Sequence, residues 1–159
     1  MGIIVDRQNL LEIITGWRKE SKKIVFTNGC FDILHRGHVE YLNKARQLGD
    51  ILVLGLNSDE SVRRLKGPER PVVSEEDRAF ILSQLISVDA VIIFREDTPI
   101  PLIEAIKPDI LVKGGDYRLD QVVGREIVEK NGGKVMTIDQ VEGLSTTELI
   151  GRIQTRRRD

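Results

Sequence analysis

The chain contains two histidines, and they stand three residues apart in His35-Arg36-Gly37-His38. The run ahead of them, Lys23-Ile24-Val25-Phe26-Thr27-Asn28-Gly29-Cys30-Phe31-Asp32-Ile33-Leu34, begins as an apolar strand and passes into a glycine turn. A helical pattern follows. This order places both imidazoles, with the unpaired N–H groups of a helix's first turn, at the carboxyl end of a strand. Open α/β sheets hold ligands at that place, and a helix N-terminus favours an anion. The chemistry that suits these groups is displacement at phosphorus, with imidazole N–H groups stabilising charge on phosphoryl oxygens. Gly37, between the histidines, lets a ligand approach the backbone closely. A His-x-x-His pair without carboxylate or thiolate neighbours offers too few ligands for a metal. The turn also lacks Gly-x-Gly-x-x-Gly, which disfavours dinucleotide redox chemistry.

The elements that must position these residues alternate along the chain. Leu10, Leu11, Ile14 and Trp17 have helical spacing within residues 7–20. Compact β-branched or aliphatic runs predict strands at about 23–28, 51–57, 89–94, 109–113 and 134–138. These runs are continuously apolar rather than alternating, as in a parallel sheet covered on both faces. Helices fit between them at about 37–48, 59–65, 75–86, 99–106 and 121–131, with a last one from about 146 to 154. Ser74 with Asp77 and Ser145 with Glu148 have capping-box spacing, Pro99 suits a first helical turn, and Asn131-Gly132-Gly133 is a stop. Strand–helix alternation with right-handed crossovers predicts an α/β fold: one Rossmann-like, doubly wound domain with a five-stranded parallel sheet. Its parts are a helical extension over 1–21, a catalytic core over 22–154 and a basic tail over 155–159. The segment 66–73, rich in Pro and Gly, reads as a loop over the site.

Other candidates lie at the expected strand ends. Lys66 is assigned to the reacting phosphates, with His35 and His38 as its catalytic partners. Arg70 and Arg78 are further phosphate candidates, and local pairing with Glu75-Glu76-Asp77 is an equal reading for Arg78. Ser145, Thr146 and Thr147 open the last helix, where hydroxyls and N–H groups bind phosphates or simply cap. Lys113, Gly114, Gly115 and Asp116 follow a strand, and the glycines let backbone approach a base or ribose. Asn28, Gly29 and Phe31 would meet the nucleotide. Asp32 would accept from a sugar hydroxyl or orient a neighbour. Asn57 and Asp59 either bind substrate or cap the next helix. Cys30 reads as a small buried side chain, with no basic neighbour to make it a thiolate.

Asn28 to His38 as a whole resembles the signature of the cytidylyltransferase-like nucleotidyltransferase superfamily, and Gly143-Leu144-Ser145-Thr146-Thr147 resembles its second motif. Within that superfamily, Asn57-Ser58-Asp59, Leu65-Lys66-Gly67, Arg70-Pro71-Val72, Asp97-Thr98-Pro99 and Leu111-Val112-Lys113-Gly114-Gly115-Asp116-Tyr117 are similar, in order, to the adenylyltransferases that make ADP-heptose. The likeness spans about residues 22–154. It implies transfer of AMP from ATP to D-glycero-β-D-manno-heptose 1-phosphate, releasing pyrophosphate and serving lipopolysaccharide core synthesis. It also implies Mg²⁺ held largely by nucleotide oxygens, and relatives on this scaffold are often homodimers. Gln140-Val141-Glu142 stands where cytidylyltransferases of this type carry Arg-Thr-Glu, which favours ATP over CTP. A glycerol-phosphate cytidylyltransferase and a FAD synthetase-type transferase are the alternatives on the same scaffold. A nucleotide-binding module without turnover is the alternative of another class.

Composition bounds these readings. The chain has 159 residues, a length for one domain, and the expected sugar-kinase step is therefore assigned to a separate polypeptide. Lysines and arginines number 24 against 25 acidic residues, net charge −1, so no global field recruits nucleic acid or a membrane. A single cysteine excludes internal disulfides. No apolar run reaches the roughly 20 residues of a membrane span, and the N-terminus lacks a signal-peptide pattern. Both point to the cytoplasm.

Overall fold

The computed structural model describes residues 1–157. Its strands are β1 (Ile3–Ile4), β2 (Ile24–Gly29), β3 (Ile51–Asn57), β4 (Ala90–Phe94), β5 (Ile110–Gly114) and β6 (Lys134–Ile138). Its α-helices are α1 (Arg7–Lys19), α2 (Arg36–Arg46), α3 (Asp59–Lys66), α4 (Glu75–Ser83), α5 (Ile100–Ile106), α6 (Arg125–Lys130) and α7 (Thr146–Arg156). The strands form one sheet in the order β1-β4-β3-β2-β5-β6, with every neighbouring pair parallel.

The sheet therefore has six strands where the sequence predicts five. The additional strand is only two residues long and pairs Ile3 with Ala90 and Ile4 with Val91. So short a run carries no periodicity, and its partner lies far along the chain. Residues 1–21 are also more than a helical extension, because Leu10 and Ile14 of α1 are buried in the core. Two hydrophobic layers flank the sheet. One gathers α1, α5 and α6 against Ile24, Phe26, Val53 and Leu111. The other gathers α2 and α4 against Val25, Leu52, Leu54 and Val112. Every residue of β3 is buried, as expected of a central strand covered on both faces.

Local signals set the helix ends. Ser74 Oγ accepts from Asp77 N, and Ser145 Oγ accepts from Glu148 N, as the capping spacing predicts. The helix expected over 121–131 is instead a 3₁₀ turn at Leu119–Gln121 followed by α6, because Gly124 takes φ 89° ahead of the first turn. Gly132 at φ 81° ends α6, which is the conformation that favours glycine at a helix stop. Of the tail, Thr155 and Arg156 belong to α7, while Arg158 and Asp159 lie outside the described residues. No helix among the described residues is long and apolar enough to cross a membrane.

From β2 the chain runs outward to β3 and β4, then returns across β2 to β5 and β6. The reversal opens a crevice at the carboxyl ends of β2 and β5, the place where doubly wound sheets bind ligands.

Candidate active site

A cleft of about 590 Å³ occupies that crevice. Asn28 is next to last in β2 and Lys113 next to last in β5, and the Lys113 ammonium donates to Asn28 Oδ1 across the switch point. His35, Gly37 and His38 line the cleft between them, with Ser145, Thr146 and Thr147 at the start of α7, Lys66 at the end of α3 and Arg70 from the segment after it. Two helix N-termini, α2 and α7, thus face one cavity, each with the unpaired backbone N–H groups of a first turn.

The two imidazoles are stacked, their ring centroids 3.8 Å apart and their planes at 22°. Phe31 closes the stack from the other side, 5.2 Å from the His38 ring and tilted by 59°. Phe31 holds φ 44° to do so, a left-handed conformation that costs a bulky residue on the order of 1–3 kcal/mol and collects at functional sites. Two glycines make the stack possible. A Cβ on Gly37 would lie 3.0 Å from Cε1 and Nδ1 of His35, and one on Gly29 would lie 2.9 Å from the Phe31 ring. The His35 ring thus takes the place a Gly37 Cβ would fill, while Gly37 itself lines the cleft.

Nδ1 of both histidines is buried without a hydrogen-bond partner among the described residues. Buried polar atoms are nearly always paired in a finished structure, so two orphans in one stack mark a site completed by something else. Burial lowers the His35 pKa, with Glu148 pulling the other way. Burial, reinforced by His35, pushes His38 down to about 4. The pair is neutral at physiological pH and ready to gain a proton beside an anion. Burial also brings Lys113 down to about 8, against the opposing pull of Cys30 and Asp116. Cys30 lines the cleft near Lys66, Arg78 and Arg70, basic neighbours the sequence did not reveal, yet burial raises its pKa. The thiol stays protonated and offers no nucleophile.

Several predicted residues stand elsewhere or are already engaged. Asp32 borders the cleft, but its carboxylate is fully buried and accepts from Val72 N, Val73 N and Arg70 Nε; no sugar hydroxyl reaches it. Burial alone would raise its pKa, and those three donors outweigh it, so the carboxyl lies below its ordinary value. Arg78 is fully buried and donates to the carbonyls of Cys30, Asn57 and Val73 and to Asp59 Oδ1. It ties three segments together and is not among the cleft residues. Asp59 is its ion-pair partner at 2.7 Å and is not among the cleft residues. Asn57 does line the cleft, with its amide donating to Ser61 Oγ at 2.9 Å. Gly115 packs against Asp139 and donates its N–H to Ile138 O, while Gly114 lines the cleft in its place. Asp116 faces the cleft and accepts from Gln140. Lys66 is exposed at the cleft and makes no hydrogen bond or ion pair among the described residues.

Sequence reasoning did not single out Tyr41, Tyr117 or Leu144, all of which line the cleft. Tyr41 was within reach of it, being one turn after His38 on the same helix face; its hydroxyl meets Thr27 Oγ1 at 2.7 Å. Tyr117 and Leu144 stand inside the motifs that carry the family resemblance, yet in irregular segments where no periodicity gives them a role of their own.

Residues 26–152 match the family model described as Cytidylyltransferase-like. The chain belongs to the cytidylyltransferase-like family. Among curated relatives it is 58% identical over 150 residues to the bifunctional protein HldE of Syntrophotalea carbinolica, covering 94% of this chain and 31% of that protein. To HldE of Geobacter sulfurreducens it is 58% identical over 144 residues, covering 91% of this chain and 29% of that protein. The chain thus spans about a third of the length of these relatives. A lipopolysaccharide core biosynthesis protein from Thermoplasma volcanium superposes with a TM-score of 0.62 at 32% identity, over 76% of this chain and 97% of that one. A pantoate-beta-alanine ligase from Francisella tularensis shares the fold, with a TM-score of 0.60 at 18% identity over all of this chain and 80% of that one. The matched span includes His35, His38 and the Ser145–Thr147 turn, which meet in the cleft.

Proposed function

We propose that this chain transfers AMP from ATP to D-glycero-β-D-manno-heptose 1-phosphate, giving ADP-heptose and pyrophosphate. The observation that carries the transfer chemistry is the stacked His35–His38 pair with its two unpartnered Nδ1 atoms beside the first turns of α2 and α7. The choice of sugar and nucleotide rests on the Leu111–Tyr117 segment and on the high identity to proteins named HldE. Likeness to a lipopolysaccharide core biosynthesis protein supports the same reading.

The reaction asks little of the protein beyond placement and charge. A sugar phosphate oxygen is already anionic, so it attacks the α-phosphorus without a general base, and the bond from that phosphorus to the β-phosphate oxygen breaks. The protein holds two anions in line and offsets their repulsion. His35 and His38 donate to the α-phosphoryl oxygens as charge builds there. Lys66 and Arg70 face the reacting phosphates, and Ser145, Thr146 and Thr147 receive the β and γ phosphates at the N-terminus of α7. Lys113, Gly114 and Asn28 face the nucleoside. Among the described residues no three His, Cys, Asp or Glu side chains are grouped to hold a metal ion. A divalent ion would arrive on the nucleotide's own oxygens.

A panel of acceptors against ATP and CTP, read by pyrophosphate release, tests this reading. Turnover is expected with ATP and the heptose 1-phosphate. Turnover with CTP and glycerol phosphate, or with ATP and a flavin mononucleotide, and none with the heptose pair, would overturn it.

A further inference from the structure

The segment 67–73 has no regular structure, yet it lies between Lys66 and α4 and carries Arg70 into the cleft. Its apolar side chains do little to hold it, since Val72 is 58% exposed. Apart from the bond from Gly67 N to α3 and one internal turn, from Arg70 N to Gly67 O, its hydrogen bonds to the rest of the described residues go to two side chains. Val72 N, Val73 N and Arg70 Nε converge on the Asp32 carboxylate, and Val73 O accepts from Arg78. Asp32 in turn sits directly after Phe31, whose ring packs on His38, and three residues before His35. One buried carboxylate therefore links the histidine turn to the segment that carries Arg70 and directly follows Lys66, the last residue of α3.

We propose that Asp32 is a positioning residue, whose carboxylate fixes segment 67–73 and thereby sets Lys66 and Arg70 over the phosphates that His35 and His38 engage. The kinetic half of this inference rests on the transferase reading above; the structural half does not. A 1 Å displacement of a positioned group costs transfer reactions on the order of 10²-fold. In Asp32→Asn the amide NH₂ opposes N–H donors, so the segment loses acceptors and lifts away.

The test is a double-mutant cycle of Asp32→Asn with Lys66→Ala, combined with nicking by a lysine-specific protease and mass mapping of the Lys66–Gly67 bond. Folding is followed by Trp17 fluorescence. Asp32→Asn is expected to speed nicking at Lys66–Gly67 by about 10-fold and to lower kcat/KM by about 10²-fold. Lys66→Ala alone should cost a similar factor, and adding Asp32→Asn to it should cost under about 3-fold, because coupled residues are not additive. Should Asp32→Asn fail to fold, Asp32→Glu keeps the charge, moves the segment by one methylene and enters the same cycle. Unchanged nicking overturns the proposal. So do losses that multiply, which would mean a direct substrate contact or a general loss of stability. Wild-type protein inactive with every substrate pair would overturn the transferase reading, while the nicking comparison would still decide the role of Asp32.

Discussion

Lowering the pH from 7 to 5 should destabilise this fold by more than its carboxylates account for, and His38 supplies the excess. In the unfolded chain its imidazole titrates near 6.5. In the folded protein burial and His35 hold it at about 4. Between those values the unfolded state binds a proton that the folded state refuses, so stability falls as the pH falls. Integrating the linkage relation from pH 7 to 5 gives a loss of about 2 kcal/mol from His38 alone, with His35 adding in the same direction. The assay is urea unfolding at both pH values, read by Trp17, the chain's one tryptophan, in wild type and in His38→Gln. Wild type should lose about 2 kcal/mol more than the variant over this interval, a relative midpoint shift of roughly 1 M urea. Equal losses in the two proteins would show that His38 is not held neutral by the fold, and the description of the stack as a site awaiting an anion would fail.

Three further outcomes follow from the same geometry. Binding of ATP near pH 6 should take up protons, because the phosphates raise the pKa of the histidines; titration calorimetry in two buffers of different ionisation enthalpy measures it, and the uptake should shrink in His38→Gln. His38→Ala should lower turnover by about 10²-fold, the cost of one transition-state donor, with little change in the KM for ATP, as read by pyrophosphate release. Gly37→Ala, which puts a Cβ 3.0 Å from the His35 ring, should keep the fold, since alanine favours a helix. Its turnover should drop by about 10- to 100-fold as the stack is displaced; wild-type rates in that variant would mean the stack is not needed.

Much of the fold is legible in the sequence because its strands are continuous Ile, Val and Leu runs and its helices carry caps at fixed spacing. β1 is not, since two residues in a strand are defined by their partner and not by their own pattern. The split of the 121–131 helix depends on the left-handed backbone at Gly124, which a periodicity count passes over. At the site, the histidines, Lys113 and the Ser145–Thr147 turn can be read from the sequence because they lie at or shortly after strand ends, and Lys66 because it closes the helix after β3. The engagement of Asp32 with Val72 and Val73, and of Arg78 with three separate carbonyls, cannot. Those bonds join residues up to 48 positions apart, and a buried side chain with a full set of partners looks, in sequence, the same as one waiting for a substrate. Asp59 and Gly115 lie off the cleft lining because each is engaged elsewhere, Asp59 by Arg78 and Gly115 by Ile138 O, and neither partner is near in sequence.

The most direct measurement is a crystal structure of the protein with ADP-heptose bound. The account predicts the phosphorus nearest the adenosine at the edge of the imidazole stack, with a nitrogen of each ring within hydrogen-bond distance of its oxygens and the heptose on the Lys66 side of the cleft. A product whose phosphates lie away from the stack, leaving both histidines without a partner, would contradict it.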